Sequence, residues 1–264
     1  MKHFAFLFGL ILLFALAVAL PAEPNAERDE FYHLRALEKY VQSQQLDNTT
    51  ISIEKRGLGD NPRLTLSMGG NKQHMGDYNE EVIFKFVHEA LDEFCPVSQC
   101  DRRLAPEECC RNYNPRDQNY KYGTVYKDQN GNYATNAHIK LSLSHGKVRN
   151  NKELRDLMFM TVAETYKREI GANCYQETWK DKTKTTFCNI GEAVDLQVGE
   201  YRVHTYLKFN GVTASGSAKC ENWKTGIKEG FGLYKDHYYQ LNNGVSFATD
   251  LFCCDEQYKN CDII

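Results

Sequence analysis

Ten cysteines, all of them after residue 56 of a 264-residue chain, constrain the fold more than any other feature of the sequence. They are Cys95, Cys100, Cys109, Cys110, Cys174, Cys188, Cys220, Cys253, Cys254 and Cys261. An even number of cysteines behind an export signal predicts five disulfides formed in an oxidising compartment. Zinc binding is the alternative, but the chain has neither a Cys-x-x-Cys pair nor a His-x3-His run. We therefore predict structural disulfides, with no metal and no cofactor.

Two pairs of adjacent cysteines, Cys109-Cys110 and Cys253-Cys254, limit how the bridges can form. A bond between neighbours would strain the peptide between them, so we expect each member to bond to a separate partner. The clusters at 95–110 and 253–261 predict bridges within the first cluster and bridges that tie the C-terminal tail to the body. A bridge that closes a long loop stabilises the fold by about 2–4 kcal/mol. The pairing itself stays open at this point.

The N-terminus is predicted to be a signal peptide, residues 1–19. Lys2 precedes an apolar run that ends in the small residues Ala17 and Ala19, as signal peptidase requires. A membrane anchor is the alternative, but the apolar run is short and no basic flank follows it. The sequence therefore predicts a secreted, extracellular protein without stable membrane insertion.

Residues 20–56 are predicted to form a removable pro-segment. This segment contains the single N-glycosylation sequon of the chain, at Asn48, and it ends in the basic pair Lys55-Arg56. Two adjacent cations are what furin-type and Kex2-type proteases recognise, although exposed basic pairs are also common. Because every cysteine follows Arg56, a cut there would release the whole disulfide-bonded body. We therefore expect cleavage at this pair.

Composition narrows the class of partner. A hydrophobic content of 42% excludes an intrinsically disordered chain, and the formal net charge of −3 gives no reason to expect nucleic acid. The predicted pro-segment and signal together carry six Lys and Arg and seven Asp and Glu, so the mature body stays near neutral. We expect a monomer that recognises an extracellular or host protein or a glycan.

The hydrophobic patterns predict an α+β fold with antiparallel sheets and two principal helices, stabilised by disulfides. The helices are expected at 78–94, with a capping box at Asp77 and Glu80, and at 152–170, between Asn150 and Gly171. Strands are expected at 63–68, 185–190, 193–197 and 200–209, with hairpins at Asn130-Gly131 (123–126 with 133–144) and Asn243-Gly244 (231–241 with 245–252). The body comprises a cysteine-rich half, 57–148, and a second half, 149–264, either as one domain or as two subdomains.

One strand pattern suggests a catalytic site. Alternation places His138, Lys140, Ser142 and Ser144 on one sheet face, and His204 lies on the polar face of a later strand. A secreted hydrolase of RNA or polysaccharide could use His138, Lys140 and His204, with histidine as the base and lysine holding phosphate. The favoured interpretation is a solvated sheet face with no catalytic role.

Tyrosine is the residue on which a binding function would depend. The chain has sixteen tyrosines, and Tyr234, Tyr238 and Tyr239 fall in the predicted last hairpin. Tyrosine provides a large contact area at low entropic cost and is enriched in recognition surfaces. We therefore expect a non-catalytic binding protein whose partner contacts this hairpin, although tyrosines also fill the cores of disulfide-rich β proteins.

The order of segments resembles that of Kex2-processed secreted proteins of fungi. The shared features are a signal peptide, an acidic pro-segment without cysteine, Lys55-Arg56 and a cysteine-rich α+β body. Residues 51–56, Ile-Ser-Ile-Glu-Lys-Arg, loosely resemble the Arg-Ile-Tyr-Glu-Arg motif of some such pro-segments, without the first Arg and the Tyr. The resemblance implies an effector with a virulence function, or a killer-toxin-like protein, acting on a host or competitor. It assigns no site residues.

The processing scheme predicts that the secreted form begins at Gly57. N-terminal sequencing of secreted material should return Gly57, and a Lys55→Ala, Arg56→Ala variant should run larger and keep any glycan on Asn48. A secreted form that starts only at Leu20 or Pro21 would contradict the scheme.

Overall fold

The computed structural model describes residues 63–95, 120–148, 151–211, 216, 218–244, 246, 248–254 and 261–264. For residues 101–103 it describes the backbone. The predicted signal peptide and pro-segment, including Asn48, Lys55 and Arg56, lie outside the described residues. So do Cys100, Cys109 and Cys110.

The described chain forms one sheet and three helices. The strands are β1 (Arg63–Gly76), β2 (Asp101–Arg103), β3 (Tyr120–Lys127), β4 (Tyr133–Lys147), β5 (Cys174–Thr178), β6 (Lys184–Val198), β7 (Tyr201–Phe209), β8 (Ala248–Cys254) and β9 (Cys261–Ile263). The helices are α1 (Glu80–Phe94), α2 (Lys152–Ala172) and α3 (Cys220–Leu241). The strand order is β2-β4-β7-β6-β1-β8-β9, with β3 also paired to β4 and β5 to β6. One pair, β1 with β8, is parallel, and the other described pairs are antiparallel.

The expected combination of helices, sheet and disulfides is confirmed, but its arrangement differs in two respects. The sheet is mixed rather than antiparallel throughout, and a third helix joins the two that were predicted. Strands of both halves also lie in the same sheet, because β1 pairs with β6 on one side and with β8 on the other. The two predicted halves therefore contribute neighbouring strands to one sheet.

Helix α2 is buried on nearly every side. Its predicted apolar positions are all in the core, together with Phe159, Met160 and Ala163 between them. The core residues of the helix are Leu154, Leu157, Met158, Phe159, Met160, Val162, Ala163, Tyr166 and Ile170. The helix packs against α1, α3 and β6. A helix with apolar residues around its whole circumference needs neighbours around its whole circumference. The sheet and the two outer helices supply them.

Charged residues of α2 are buried with specific partners on α1. The guanidinium of Arg155, with 5% exposure, donates to the carbonyl oxygen of Cys95 at 2.6 Å and to Asp92 at 2.8 Å. One turn from the other end, Lys167 forms an ion pair with Glu81. A buried charge is tolerated when it is paired and hydrogen-bonded, so these contacts fix the register of α1 against α2.

Helix boundaries differ slightly from those predicted. Asn79, rather than Asp77, caps α1 by accepting a hydrogen bond from the backbone of Val82 at 2.9 Å. Asn151, rather than Asn150, caps α2 in the same way, and that helix continues through Gly171 to Ala172. The two strands expected at 185–190 and 193–197 are one continuous strand, β6. The β3–β4 hairpin at Asn130-Gly131 is confirmed.

The predicted last hairpin is wrong, because residues 220–241 form helix α3. Asn243 and Gly244 have positive φ values of 55° and 76°, and they terminate this helix instead of turning a hairpin. The left-handed conformation favoured by Asn-Gly serves both purposes, so the dipeptide alone does not distinguish them. Gly230 allows α3 to approach α2 closely, since a Cβ atom there would lie 3.1 Å from Glu164 Cγ.

Three disulfides are described. Cys174–Cys188 joins the neighbouring strands β5 and β6, Cys220–Cys253 joins α3 to β8, and Cys254–Cys261 joins β8 to β9. The adjacent residues Cys253 and Cys254 therefore bond to separate partners, as predicted. Through this pair, strand β8 is covalently tied to both a helix and the C-terminal strand.

Glu169 on α2 is fully buried beneath the sheet. One carboxylate oxygen accepts a hydrogen bond from the backbone N–H of Gly191 at 3.2 Å, and the other has no partner among the described residues. Burial raises the pKa of Glu169 well above its usual value, and the Gly191 hydrogen bond opposes this only in part. The acid is therefore favoured in its neutral form inside the fold.

We predict that Glu169 makes the fold less stable as pH rises. Because its folded pKa exceeds its unfolded pKa, its contribution is complete below the unfolded value and is lost as pH rises towards the folded value. Glu169→Gln should remove this dependence, so the variant should gain stability over wild type between about pH 4 and pH 8 in urea denaturation. The exposed Glu93→Gln serves as control and should follow the wild-type curve. A constant difference between Glu169→Gln and wild type would contradict the assignment.

Candidate functional site

The sheet presents one face to the helices and a second, polar face on the opposite side. Alternate residues, such as Leu66 of β1, Leu141 of β4 and Leu196 of β6, belong to the core that includes the helices. The residues between them form what we call the polar face: Lys121, Lys140, Ser142, His145, Lys147, Asp195, Gln197, Arg202, His204, Tyr206 and Lys208. The buried apolar residues of the helices belong to the same core as the first face.

A β-bulge between Leu143 and His145 changes which residues of β4 reach the polar face. The bulge adds one residue, so the alternation shifts by one position beyond it. Ser144, expected on the polar face, is instead buried, and its hydroxyl donates to the carbonyl oxygen of His204 at 3.2 Å. His145 takes its place on the polar face.

The proposed trio His138, Lys140 and His204 does not form one site. The backbone N–H of Asn210 donates to the carbonyl oxygen of His138, so His138 lies beside the far end of β7. His204 is six residues back along that strand, a separation of about 20 Å. Sequence alternation gave the correct face for these residues, but not the offset between the two strands.

Lys140 belongs instead to a row of three lysines, which we call the lysine row. Lys121 of β3, Lys140 of β4 and Lys208 of β7 are direct cross-strand partners. Lys121 and Lys208 are exposed and Lys140 is half-buried, and none of the three has a carboxylate partner within the described part of the chain. Like charges directly opposite each other destabilise a sheet, by up to about 1 kcal/mol for each pair. The fold therefore retains this row at a cost to its stability.

A second row, which we call the histidine row, crosses the same face. It lies four residues before Lys208, nearer the start of β7. His204 is the direct cross-strand partner of His145 on β4 and of Asp195 on β6. Arg202 donates two hydrogen bonds to Asp195, at 2.9 and 2.6 Å. The ring of Tyr206 lies 4.5 Å from that of His204. Two imidazoles, a carboxylate, a guanidinium and a phenol thus share one small area.

The surroundings of His204 favour its neutral form. Burial lowers the pKa of His204, and the positive charges of Arg202 and His145 lower it further, whereas Asp195 opposes the shift. A neutral imidazole can accept a proton, so His204 is suited to act as a base near neutral pH.

His74 is a buried histidine with a structural environment. It has 1% exposure, and the rings of Phe187 and Phe209 each lie edge-on at 5.0 Å. Its Nδ1 atom lies 3.3 Å from the hydroxyl of Tyr175. Burial lowers the pKa of His74 to about 4, so the ring stays neutral in the core. We assign it to packing.

The three tyrosines expected in a binding hairpin do not form one exposed surface. Tyr234 and Tyr238 have 0% exposure, whereas Tyr239 is 46% exposed. On helix α3, residues four apart share a face, and Tyr234 and Tyr238 face α2, where the Tyr238 hydroxyl lies 2.8 Å from that of Thr161. Tyr234 and Tyr238 are therefore core residues and cannot contact a partner.

Comparison with protein-family models, curated proteins and solved structures finds no match for this chain. Among the described residues, no group of three or more His, Cys, Asp or Glu side chains is arranged to hold a metal ion. None of the described helices has the length and apolar character needed to span a membrane. The assignment of a function therefore depends on the polar face itself.

Sequence reasoning identified His204 and Lys140 but missed their neighbours. His145 was missed because the bulge that exposes it has no sequence signal of its own, and Lys121 because its strand was expected to begin later. Alternation along β7 puts Arg202 and Lys208 on the same face as His204. The alternation does not show how β4 and β7 are offset against each other, and that offset decides which residues lie side by side.

The charges around His204 predict how its pKa responds to substitution. His145→Ala should raise the pKa of His204 because a repelling cation is removed, and Asp195→Asn should lower it because the stabilising anion is removed. Titration of the imidazole protons by NMR measures both shifts. His138→Ala is the control and should leave the pKa of His204 unchanged; equal shifts in all three variants would show that the histidine row is not electrostatically coupled.

Proposed function

We propose that this chain is a secreted, disulfide-stabilised binding protein, effector-like or toxin-like, that acts on a target outside the cell that produces it. The three described disulfides support an extracellular location, because such bonds persist in oxidising compartments. We further propose that the polar face is the binding surface and that the target is a polyanion.

The lysine row is the observation that carries this proposal. Three ammonium groups stand side by side on adjacent strands, and no carboxylate of the described chain neutralises them. Nearby cations of the same face are paired, since Lys147 bonds Glu200 at 3.0 Å and Arg202 bonds Asp195. An anionic ligand would relieve the repulsion within the row. The lysine–lysine repulsion and the lysine–ligand attraction therefore both favour the bound state.

The geometry of the row suits an extended ligand. Neighbouring strands lie about 4.8 Å apart, so the row spans about 10 Å across the sheet. A chain that carries charges at regular intervals matches the length of the row, whereas a single small anion covers only part of it. Since the net charge of the whole protein is −3, the overall charge does not attract a polyanion, and the attraction proposed here is local to the lysine row.

We predict that the lysine row is needed for binding and is not needed for stability. Lys121→Gln, Lys140→Gln and Lys208→Gln together should weaken binding to a labelled single-stranded DNA or to heparin by about tenfold or more at low salt. The slope of log affinity against log salt should fall by about two for the DNA probe. The melting temperature should stay the same or rise, because like-charge repulsion is removed.

The matched control changes the same amount of charge elsewhere. Lys184, Lys228 and Lys235 are exposed residues on β6 and α3, and their joint replacement by Gln should leave affinity close to wild type. Comparison of the two probes shows whether phosphate or sulfate chains bind more tightly. Equal loss in both triple variants, or no binding of either probe by the wild type, would overturn the proposal.

A further inference from the structure

We propose that the histidine row is an acid–base site that cleaves RNA bound to the polar face, an inference that rests on the polyanion binding proposed above. His145 and His204 are the two proton-transferring residues. The lysine row holds the phosphates of the strand.

The placement of the two histidines meets the geometric requirement of this reaction. Side chains of direct cross-strand partners have Cβ atoms about 5 Å apart and point to the same face. Two imidazoles on such a base can reach two different oxygens of one phosphate, each at a hydrogen-bond distance of about 2.8 Å. His138 cannot take part, because it lies about 20 Å from His204 along the sheet.

The reaction requires only the substrate and two protons in transit. His204 accepts the proton of a ribose 2′-hydroxyl, and the 2′ oxygen attacks the adjacent phosphorus. The new O2′–P bond forms while the P–O5′ bond breaks, and His145 gives its proton to the departing 5′ oxygen. The products are a 2′,3′-cyclic phosphate and a 5′-hydroxyl, and the histidines return to their starting states by exchanging protons with water.

The residues around His204 fit its role as the base. Burial and nearby cations favour neutral His204, which is the form that a base requires. Arg202 lies two residues from His204 on the same face, and its two hydrogen bonds to Asp195 hold the guanidinium beside the row. The lysine row, four residues away along β7, lies about 13 Å from His204 and would hold the next phosphates of the strand.

The residues of this row favour RNA over the other polymers. Hydrolysis of a glycosidic bond ordinarily needs two carboxyl groups that flank the bond. The row offers one, Asp195, which is already bonded to Arg202. DNA can occupy the same face but lacks the 2′-hydroxyl that serves as nucleophile. The predicted activity is therefore specific for RNA, whereas binding extends to DNA.

The test uses the full processed protein and a single-stranded RNA of about 20 nucleotides, with DNA of the same sequence beside it. The wild type should cleave RNA and leave DNA intact, and mass spectrometry should find 2′,3′-cyclic phosphate ends. His145→Ala and His204→Ala should each lower kcat by about a hundredfold or more, as expected for the loss of a general acid or base. Their affinity for the DNA strand should stay within about twofold of wild type.

His138→Ala is the matched control, since it removes a histidine from the same strand outside the row, and it should cleave at the wild-type rate. His204→Gln provides a second variant if His204→Ala fails to fold. Intact RNA after incubation with the wild type, or cleavage by a His145→Ala, His204→Ala double variant at the wild-type rate, would overturn the inference. If DNA binding still depends on the lysine row in that case, the proposed binding function stands without catalysis. If the wild type binds neither DNA nor heparin, both proposals fall.

Discussion

The burial of helix α2 is the constraint on which the rest of the structure depends. Each neighbour of this helix satisfies a different set of its polar groups: α1 pairs with Arg155 and Lys167, α3 contributes Tyr238 to Thr161, and the sheet contributes Thr205 to Tyr166. Apolar contact alone would allow α2 to shift along its neighbours. The hydrogen bonds and ion pairs can form in one register only. The position of the sheet, and with it the polar face, is thereby fixed by the helix beneath it.

The sequence allowed the local elements to be predicted better than their arrangement. Helices α1 and α2 have clear helical periods, and the β3–β4 hairpin has a turn signal flanked by alternating residues. Helix α3 was mistaken for a hairpin because Tyr234 and Tyr238 suit both periods, alternate positions of a strand and successive turns of a helix. Asn243-Gly244 was equally ambiguous. The parallel pairing of β1 with β8 could not be inferred, because the sequence of a strand does not indicate which strand it pairs with.

The candidate site shows why a charge sum says little about binding. A near-neutral chain gave no reason to expect a polyanion partner, yet three lysines from separate strands meet on one face. Their alignment results from the register of β3 on β4 and of β4 on β7, which involves residues far apart in the chain. The same register brings His145 opposite His204. The alternation within each strand predicted which strands carry these residues. Only the register between strands shows which side chains lie next to each other.

The central position of β1 also determines when the molecule can fold. Its residue Leu66 pairs with Leu196 on one side and with Leu251 on the other. The first described strand therefore cannot complete its pairing before β8, the last strand but one, is present. Contacts between residues so distant in sequence are formed slowly, since a long loop must close before they yield any stabilisation. During synthesis the sheet cannot be completed until residues of β8 have left the ribosome. The bridge between Cys220 and Cys253 links α3 to β8, so it can close only after nearly the whole chain has been made.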